Sequence, residues 1–325
     1  MKVMIGYDGS ESGEAIFADL KLSGLPRAGE ARVVSVADLF VQTPDEPTSA
    51  LPSFSSRRTE IVLGLTESHT RSVIEETRQF IARAGERLRL ALPDWTVTEE
   101  VRLGTPAGEI IEAASEFDAD LIVVGSQGRS AIGRLILGSV SKRIATDAQC
   151  SVRVARPSGA FHSNDVPRVI VGIDGSPASE EAVYAVGHRV WQVGTEVRLV
   201  SVDDGVGPNR IAGRLPQAAE MIDSYLKKRE SRVTSMIDWG IKELSNIGLN
   251  TSVLSEKGDA QTILMDEARR WSANCIFVGT RDFSSAFERF RLGSVSTAVV
   301  TDAHCSVEIV RPEREALHKA LQGGF

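Results

Sequence analysis

The sequence predicts an α/β protein built from two tandem, doubly wound domains, each a five-stranded parallel sheet covered by helices on both faces. Two observations carry this prediction. The chain repeats itself: Met1 to Ser10 (MKVMIGYDGS) returns as Pro167 to Ser176 (PRVIVGIDGS), and Leu137 to Pro157 returns without a gap as Leu292 to Pro312, with 13 of 21 positions identical. Within each repeat, short apolar runs alternate with helix-period segments, the pattern that yields right-handed crossovers and a parallel sheet. The length of 325 residues agrees, since single cores rarely grow much past about 250–300 residues.

The elements of the first half follow in order. Val3–Tyr7 is a short β-type run, and Ser12–Leu22 has helical spacing. Arg32–Val36 is a second strand. Thr59–Leu92 reads as a long amphipathic helix, with Ile61, Leu65, Ile74, Phe80, Ile81 and Leu88 as candidate core contacts. Thr96–Arg102 alternates like an edge-side strand. Ala107–Phe117 is a helix opened by Pro106. Leu121–Val124 is wholly apolar, as a buried parallel strand should be. Ser139–Thr146 is a short helix and Val152–Ala155 a last strand. The strands of the second half are Val169–Ile173, Glu196–Val202, Asn250–Leu254, Cys275–Val278 and Val307–Val310.

The repeat offset is 166 residues at the front and 155 at the back, so the first half carries about eleven extra residues. They are expected in the segment Phe40 to Arg58, with its three prolines, which suits either a surface lid or an ordinary excursion. Domains are expected over residues 1–157 and 167–312, with a linker over 158–166 around Gly159 and Asn164 and a tail over 313–325.

Composition narrows the function. A net charge of −7 argues against a broad nucleic-acid surface, which needs clustered positive charge, although a local anion site remains compatible with it. The apolar content of 42% excludes wholesale disorder. No apolar run approaches the roughly 20 residues of a transmembrane helix. Asp8 interrupts the N-terminal run too early for a secretion signal, so the expected location is the cytoplasm. The three cysteines form no C-x-x-C pair and read as small buried hydrophobes rather than a disulfide framework or metal site.

Four features of the first half sit where a strand gives way to a loop or helix: Asp8-Gly9-Ser10, Val36-Ala37-Asp38, the segment Gly125 to Ser130, and Gly138-Ser139-Val140. Ligands of such folds collect there, beyond the carboxyl ends of the strands. Gly125 and Gly128 permit close backbone approach and positive φ. Gly138 leads into a helix with Ser139 as N-cap candidate, and the free N–H groups of a helix start suit phosphate. The spacing is Gly-x2-Gly-x9-Gly-Ser, so both the P-loop and the dinucleotide fingerprint fail. Asp8 reads equally as a turn residue or as a carboxylate for ribose hydroxyls. Val36 reads as core or as a backbone contact to an adenine edge.

The aspartate closing strand one, the segment VVGSQGRS, the glycine spacing and the LGSVS helix start resemble the universal stress protein family, in both halves and over nearly their full length. The resemblance implies a strand order of 3-2-1-4-5 per half and ATP binding wherever the glycine pattern is kept. It implies that Asp8 holds the ribose and Val36 the adenine. Val124, Gly125, Gln127, Gly128 and Arg129 would line the sugar and phosphates, and Gly138, Ser139 and Val140 would cradle the phosphates. AMP and ADP stay open as alternatives to ATP, as does accompanying magnesium. Pairing of Val152–Ala155 with Val307–Val310 would join the halves as a pseudo-dimer, and a further homodimer of chains is left open.

The second half keeps Asp174, Val202, Gly279, Gly293 and Ser294 but carries Asp282 at the second glycine, and its loop to Gly293 is one residue longer. A carboxylate there repels phosphate, by about 1 kcal/mol at 4 Å in water and several-fold more when partly buried. Arg281, Arg289 or Arg291 would offset this. A nucleoside or monophosphate is less penalised; the other reading is a structural or dimerising domain, with Phe283, Phe287 and Phe290 as local core or a contact patch. None of the five histidines falls in the expected site, and no base or metal cluster is visible, so a binding protein with little or no turnover is expected. A slow ATPase, a nucleotidyl-transferring enzyme of the same fold class and a ligand-free structural dimer remain the alternatives.

Overall fold

A computed structural model describes residues 1–37, 56–128, 137–157, 166–203, 216–280 and 292–312. The first half comprises β1 (Lys2–Gly6), α1 (Glu11–Leu20), β2 (Gly29–Ala37), α2 (Ser56–Ala91), β3 (Trp95–Leu103), α3 (Pro106–Glu116), β4 (Leu121–Gly125), α4 (Ser139–Asp147) and β5 (Ser151–Ala155). The second repeats it as β6 (Arg168–Ile173), α5 (Pro177–Gly187), β7 (Glu196–Asp203), α6 (Pro216–Asn246), β8 (Asn250–Lys257), α7 (Ala260–Arg270), β9 (Cys275–Gly279), α8 (Ser294–Asp302) and β10 (Ser306–Val310).

The two five-stranded units are one sheet of ten strands, in the order β3-β2-β1-β4-β5-β10-β9-β6-β7-β8. Each half therefore has its first strand near the middle and the order 3-2-1-4-5. All pairings are parallel except the seam between β5 and β10, which is antiparallel, with Val307 opposite Val154, Glu308 opposite Arg153 and Ile309 opposite Val152. The repeat offset of 155 makes Arg153 and Glu308 equivalent positions, so the axis relating the halves passes through this one pair.

Side chains alternate across the strands and sort the core into layers. On one face, Val152 and Val154 meet Val307 and Ile309 in a core that runs unbroken through both halves beneath α3, α4, α7 and α8. On the other face the cores are separate. Ile16, Leu20, Ile81, Ala84 and Leu88 close the first beneath α1 and α2, while Val183, Val186 and Leu244 close the second beneath α5 and α6. In α2 the buried residues Ile81, Ala84 and Leu88 recur at helical spacing. The side chains of Ile61 and Leu65 lie outside the described residues.

Several local expectations change. The extra residues do lie between β2 and β3, but five of them lengthen α2, 36 residues against 31 in α6, rather than all sitting in the preceding loop. Ser56 to Arg58 already belong to α2, and the rest of the expected lid, residues 40–55, lies outside the described residues. Cys275 and Cys305 are buried as expected, whereas Cys150 is only partly so. Burial pushes the Cys305 thiol up to about 12. His188 closes α5, with Nδ1 2.9 Å from the Tyr184 carbonyl, and His304 is half-buried, its Nδ1 without a hydrogen-bond partner among the described residues. Among the described residues no helix is long and apolar enough to cross a membrane.

Candidate functional site

In each half the strand order reverses between the first and fourth strands, and the crevice beyond their carboxyl ends is where an open α/β sheet accommodates a ligand. In the first half Asp8, Ser10, Gln127, Gly128, Gly138 and Ser139 gather there. Asp8 follows β1 and accepts from the Ser10 N–H at Oδ1 (3.0 Å). Between them Gly9 holds φ at +72°, a left-handed conformation that favours glycine, as does its equivalent Gly175 at +78°. The Ser10 hydroxyl accepts from the Gly13 N–H (3.0 Å), capping α1, and donates to the Gln127 carbonyl (3.2 Å). One serine thus ties the loop after β1 to the glycine loop after β4.

The glycines of that loop do different work. A Cβ on Gly125 would lie 2.7 Å from the backbone C and O of Ser12, so Gly125 is required by α1 packing over β4 rather than by ligand approach. Among the described residues, a Cβ on Gly128 would meet nothing nearer than Asp8 Oδ2, at 3.4 Å, an ordinary contact beside the carboxylate. Gly138 packs its Cα side against Gln127 and Gly128, and its N–H donates to the Ser126 carbonyl (2.8 Å). None of these three adopts the positive φ that their identity allowed.

Gly138, not Ser139, is the N-cap of α4, and among the described residues no side-chain cap hydrogen bond is made to the helix start. Ser139 is the first helical residue and is exposed; Val140 is partly buried against the core. The first N–H groups of α4 therefore face the crevice with the positive end of the helix dipole behind them. Two serines that single-residue reading overlooked hold this start in place. Ser141 Oγ donates to the Gly125 carbonyl (2.6 Å), and the Ser126 N–H donates to the Ala155 carbonyl (3.0 Å). The duplication was the available signal, for Ser296 repeats the first bond on Gly279 at 2.8 Å.

Val124 is buried in the strand and contributes packing. Val36 lies within β2, which runs on to Ala37, two residues past the Gly6–Val34 pair just as Asp8 is two residues past Gly6. Its backbone is thus at the crevice rim while its side chain packs on the core. Arg129 and Asp38 lie outside the described residues.

The second half builds the same crevice, a cleft of about 270 Å³ lined among others by Asp174, Val202, Gly279, Gly293 and Ser294. Asp174 Oδ1 accepts from Ser176 N–H (2.9 Å), and Gly293 begins α8 without a side-chain cap. A Cβ on Gly279 would lie 2.3 Å from the Ala178 carbonyl oxygen, repeating the constraint on Gly125. Asp282, Arg281, Arg289, Arg291 and the three loop phenylalanines lie outside the described residues. Among the described residues no group of His, Cys, Asp and Glu has the arrangement of a metal centre.

Comparison with known proteins agrees with this architecture. The model of the universal stress protein family matches residues 1–156 and again residues 166–311. A universal stress protein of Mycolicibacterium smegmatis is 27% identical over 313 residues, covering 95% of this chain and 97% of that protein. One from Mycobacterium tuberculosis is 29% identical over 247 residues, 73% of this chain and 77% of its own length. Among solved structures, a universal stress protein from Archaeoglobus fulgidus superposes with a TM-score of 0.60 over 95% of this chain and 98% of its own, at 19% identity, a likeness of fold.

Proposed function

The chain belongs to the universal stress protein family, and from that premise we propose that its first half binds an adenine nucleotide, ATP foremost, and that the protein acts as a nucleotide-dependent regulator with little or no turnover. The observation that carries this reading is the meeting of Asp8 with an uncapped helix start across Gly128. The carboxylate is a strong acceptor for two ribose hydroxyls. The α4 N–H groups suit phosphate oxygens, and a side chain at position 128 would come between the two. The Val36 backbone at the crevice rim suits an adenine edge.

The residues present fit a nucleotide by these donors and acceptors. Asp8 would orient the sugar, Gly138 to Val140 would receive the phosphates, and Arg129 would add a cation from the loop. Bound magnesium would neutralise phosphate charge. A regulatory role suits the crevice because, among the described residues, no histidine stands there and the Asp8 carboxylate accepts from the Ser10 N–H. The second half carries the same cleft with Asp282 at the second glycine, so a nucleoside or monophosphate suits it better than a triphosphate.

Equilibrium dialysis of ATP against the wild-type chain and Gly128→Asp tests this. A loss of affinity in the variant supports the phosphate placement, and equal affinity sinks it. Mass spectrometry of small molecules released from the purified, denatured protein identifies which nucleotide is retained.

A further inference from the structure

The seam between the halves carries a chemical polarity that homologous pairing alone does not require. Arg153 is fully buried. It gives Nε and Nη2 to Asp19 of its own half (2.6 and 2.8 Å), leaving Nη1 to cross the seam to Glu308 Oε2 (3.1 Å) and Cys275 Sγ (3.2 Å). Glu308 takes Arg189 of its own half on Oε1 and presents Oε2 across. At the axis the first half therefore offers a donor and the second offers acceptors, Glu308 Oε2 and Cys275 Sγ. Each half has neutralised its own charge before they meet.

Beside the axis the sense is reversed, the second half donating and the first accepting. Arg189 and Ser23 are equivalent positions, as are Val190 and Gly24. Arg189 Nη1 donates to the Ser23 carbonyl (2.6 Å), and the Val190 N–H donates to the Gly24 carbonyl (2.9 Å). The Trp191 ring lies against Gly24, where a Cβ would be 2.8 Å from it. Two first halves would set Arg153 donors face to face, with Leu121 where Cys275 now accepts. Two second halves would set Glu308 acceptors face to face and drive Trp191 into Val190. Buried like groups without partners and a backbone-level clash are what reject a wrong partner.

We propose that this seam is a heterotypic lock: the first half accepts a second half and rejects another first half, so that the chain pairs with itself and does not scramble into like-with-like assemblies. Pairing itself is common to repeats of this kind; the choice of partner is written in Arg153, Glu308, Arg189 and Gly24.

Charge inversion in the full chain tests the lock while keeping every within-half pair. One variant carries Asp19→Arg with Arg153→Glu, making both axial positions acidic. The other carries Arg189→Glu with Glu308→Arg, making both basic. Each should lower the unfolding midpoint by roughly 10 °C. The chain with all four substitutions should regain most of that loss, because unlike groups meet again. Mixed together, the two double variants should form a complex of two chain masses by light scattering. The lock is overturned if both double variants melt within about 2 °C of wild type. It is equally overturned if the four-fold variant stays as unstable as they are, or if the two double variants are folded and elute separately when mixed. Should the double variants fail to fold, the four-fold variant still decides.

Discussion

Arg156 and Arg311 stand at equivalent positions, each one residue past the last strand of its half, and each reaches into the opposite half to hold the end of a helix. Arg156 donates to the carbonyls of Val300 (2.6 Å), Thr301 (3.2 Å) and Cys305 (3.4 Å), at the end of α8 and the turn after it. Arg311 donates to Ala145 (2.6 Å), Thr146 (3.5 Å) and Cys150 (3.1 Å), at the end of α4. Burial lowers the pKa of both guanidinium groups, that of Arg311 to about 10, and the carbonyl ends of the helices are what make the positions tolerable for a cation.

Removing either fork strands buried carbonyls. Arg156→Ala and Arg311→Ala should each cost about 3 kcal/mol, read as a fall in the urea midpoint at an unchanged slope. Lysine should not restore the loss, because one ammonium cannot replace a planar fork spread over three acceptors. A midpoint within error of wild type would show that water replaces the fork.

Gly125 and Gly128 should separate folding from binding. Gly125→Ala forces a Cβ to within 2.7 Å of the Ser12 backbone, which cannot yield as a side chain would, and should destabilise the protein by about 1–3 kcal/mol. Gly128→Ala meets only ordinary contact and should melt like wild type while ATP affinity falls about tenfold or more. Thermal melts beside dialysis of the same samples give both quantities. Equal loss of stability in the two variants would contradict the packing argument.

Asp8 can be probed without disturbing its turn. Asp8→Asn keeps an oxygen for the Ser10 N–H but removes the charge. Stability should stay within about 0.5 kcal/mol, whereas nucleotide affinity should fall roughly 10- to 100-fold, the worth of a charge-assisted hydrogen bond. An unchanged dissociation constant would remove Asp8 from the ribose.

His304 should make the protein acid-sensitive. Burial first, then Arg269 and Arg156, hold its imidazole below the ordinary value of 6.5. In the window between the lowered folded value and 6.5, the unfolded chain binds more protons than the folded one. Stability is then full above about 6.5 and is lost as pH falls. The first half carries Gln149 at the equivalent position, so His304→Gln is a substitution the fold accommodates elsewhere. The variant should lose less stability than wild type between pH 7.5 and 5.5, about the range in which histidine titrates, measured by urea unfolding at each pH. Parallel curves would acquit the histidine.

Much of the fold was legible because repeats and periodicity are local patterns. Leu121–Gly125 is apolar throughout because both of its faces are covered, and its buried state follows. The site was legible in part. Asp8, Gly128 and Gly138 carried enough chemistry to be noticed. The separate task of Gly125 could not be read, because the atom it must avoid belongs to Ser12, more than a hundred residues away. The N-cap was misplaced by one residue because Gly138 and Ser139 are both acceptable caps, and helix boundaries depend on backbone geometry.

By itself, then, the sequence determined two copies of one α/β unit, their element order and the place where each copy offers glycines and a helix start to a ligand. These follow from the spacing of apolar residues and glycines along the chain. The pairing of the two last strands was already implied by the family resemblance; only the tertiary structure decided its antiparallel register, that Arg153 and Glu308 meet on its axis, and that Arg156 and Arg311 cross into each other's half. The physical reason is that a charge states what it needs but not where the need is met. The acceptors of Arg156 are backbone carbonyls about 150 residues away, and every residue has a carbonyl.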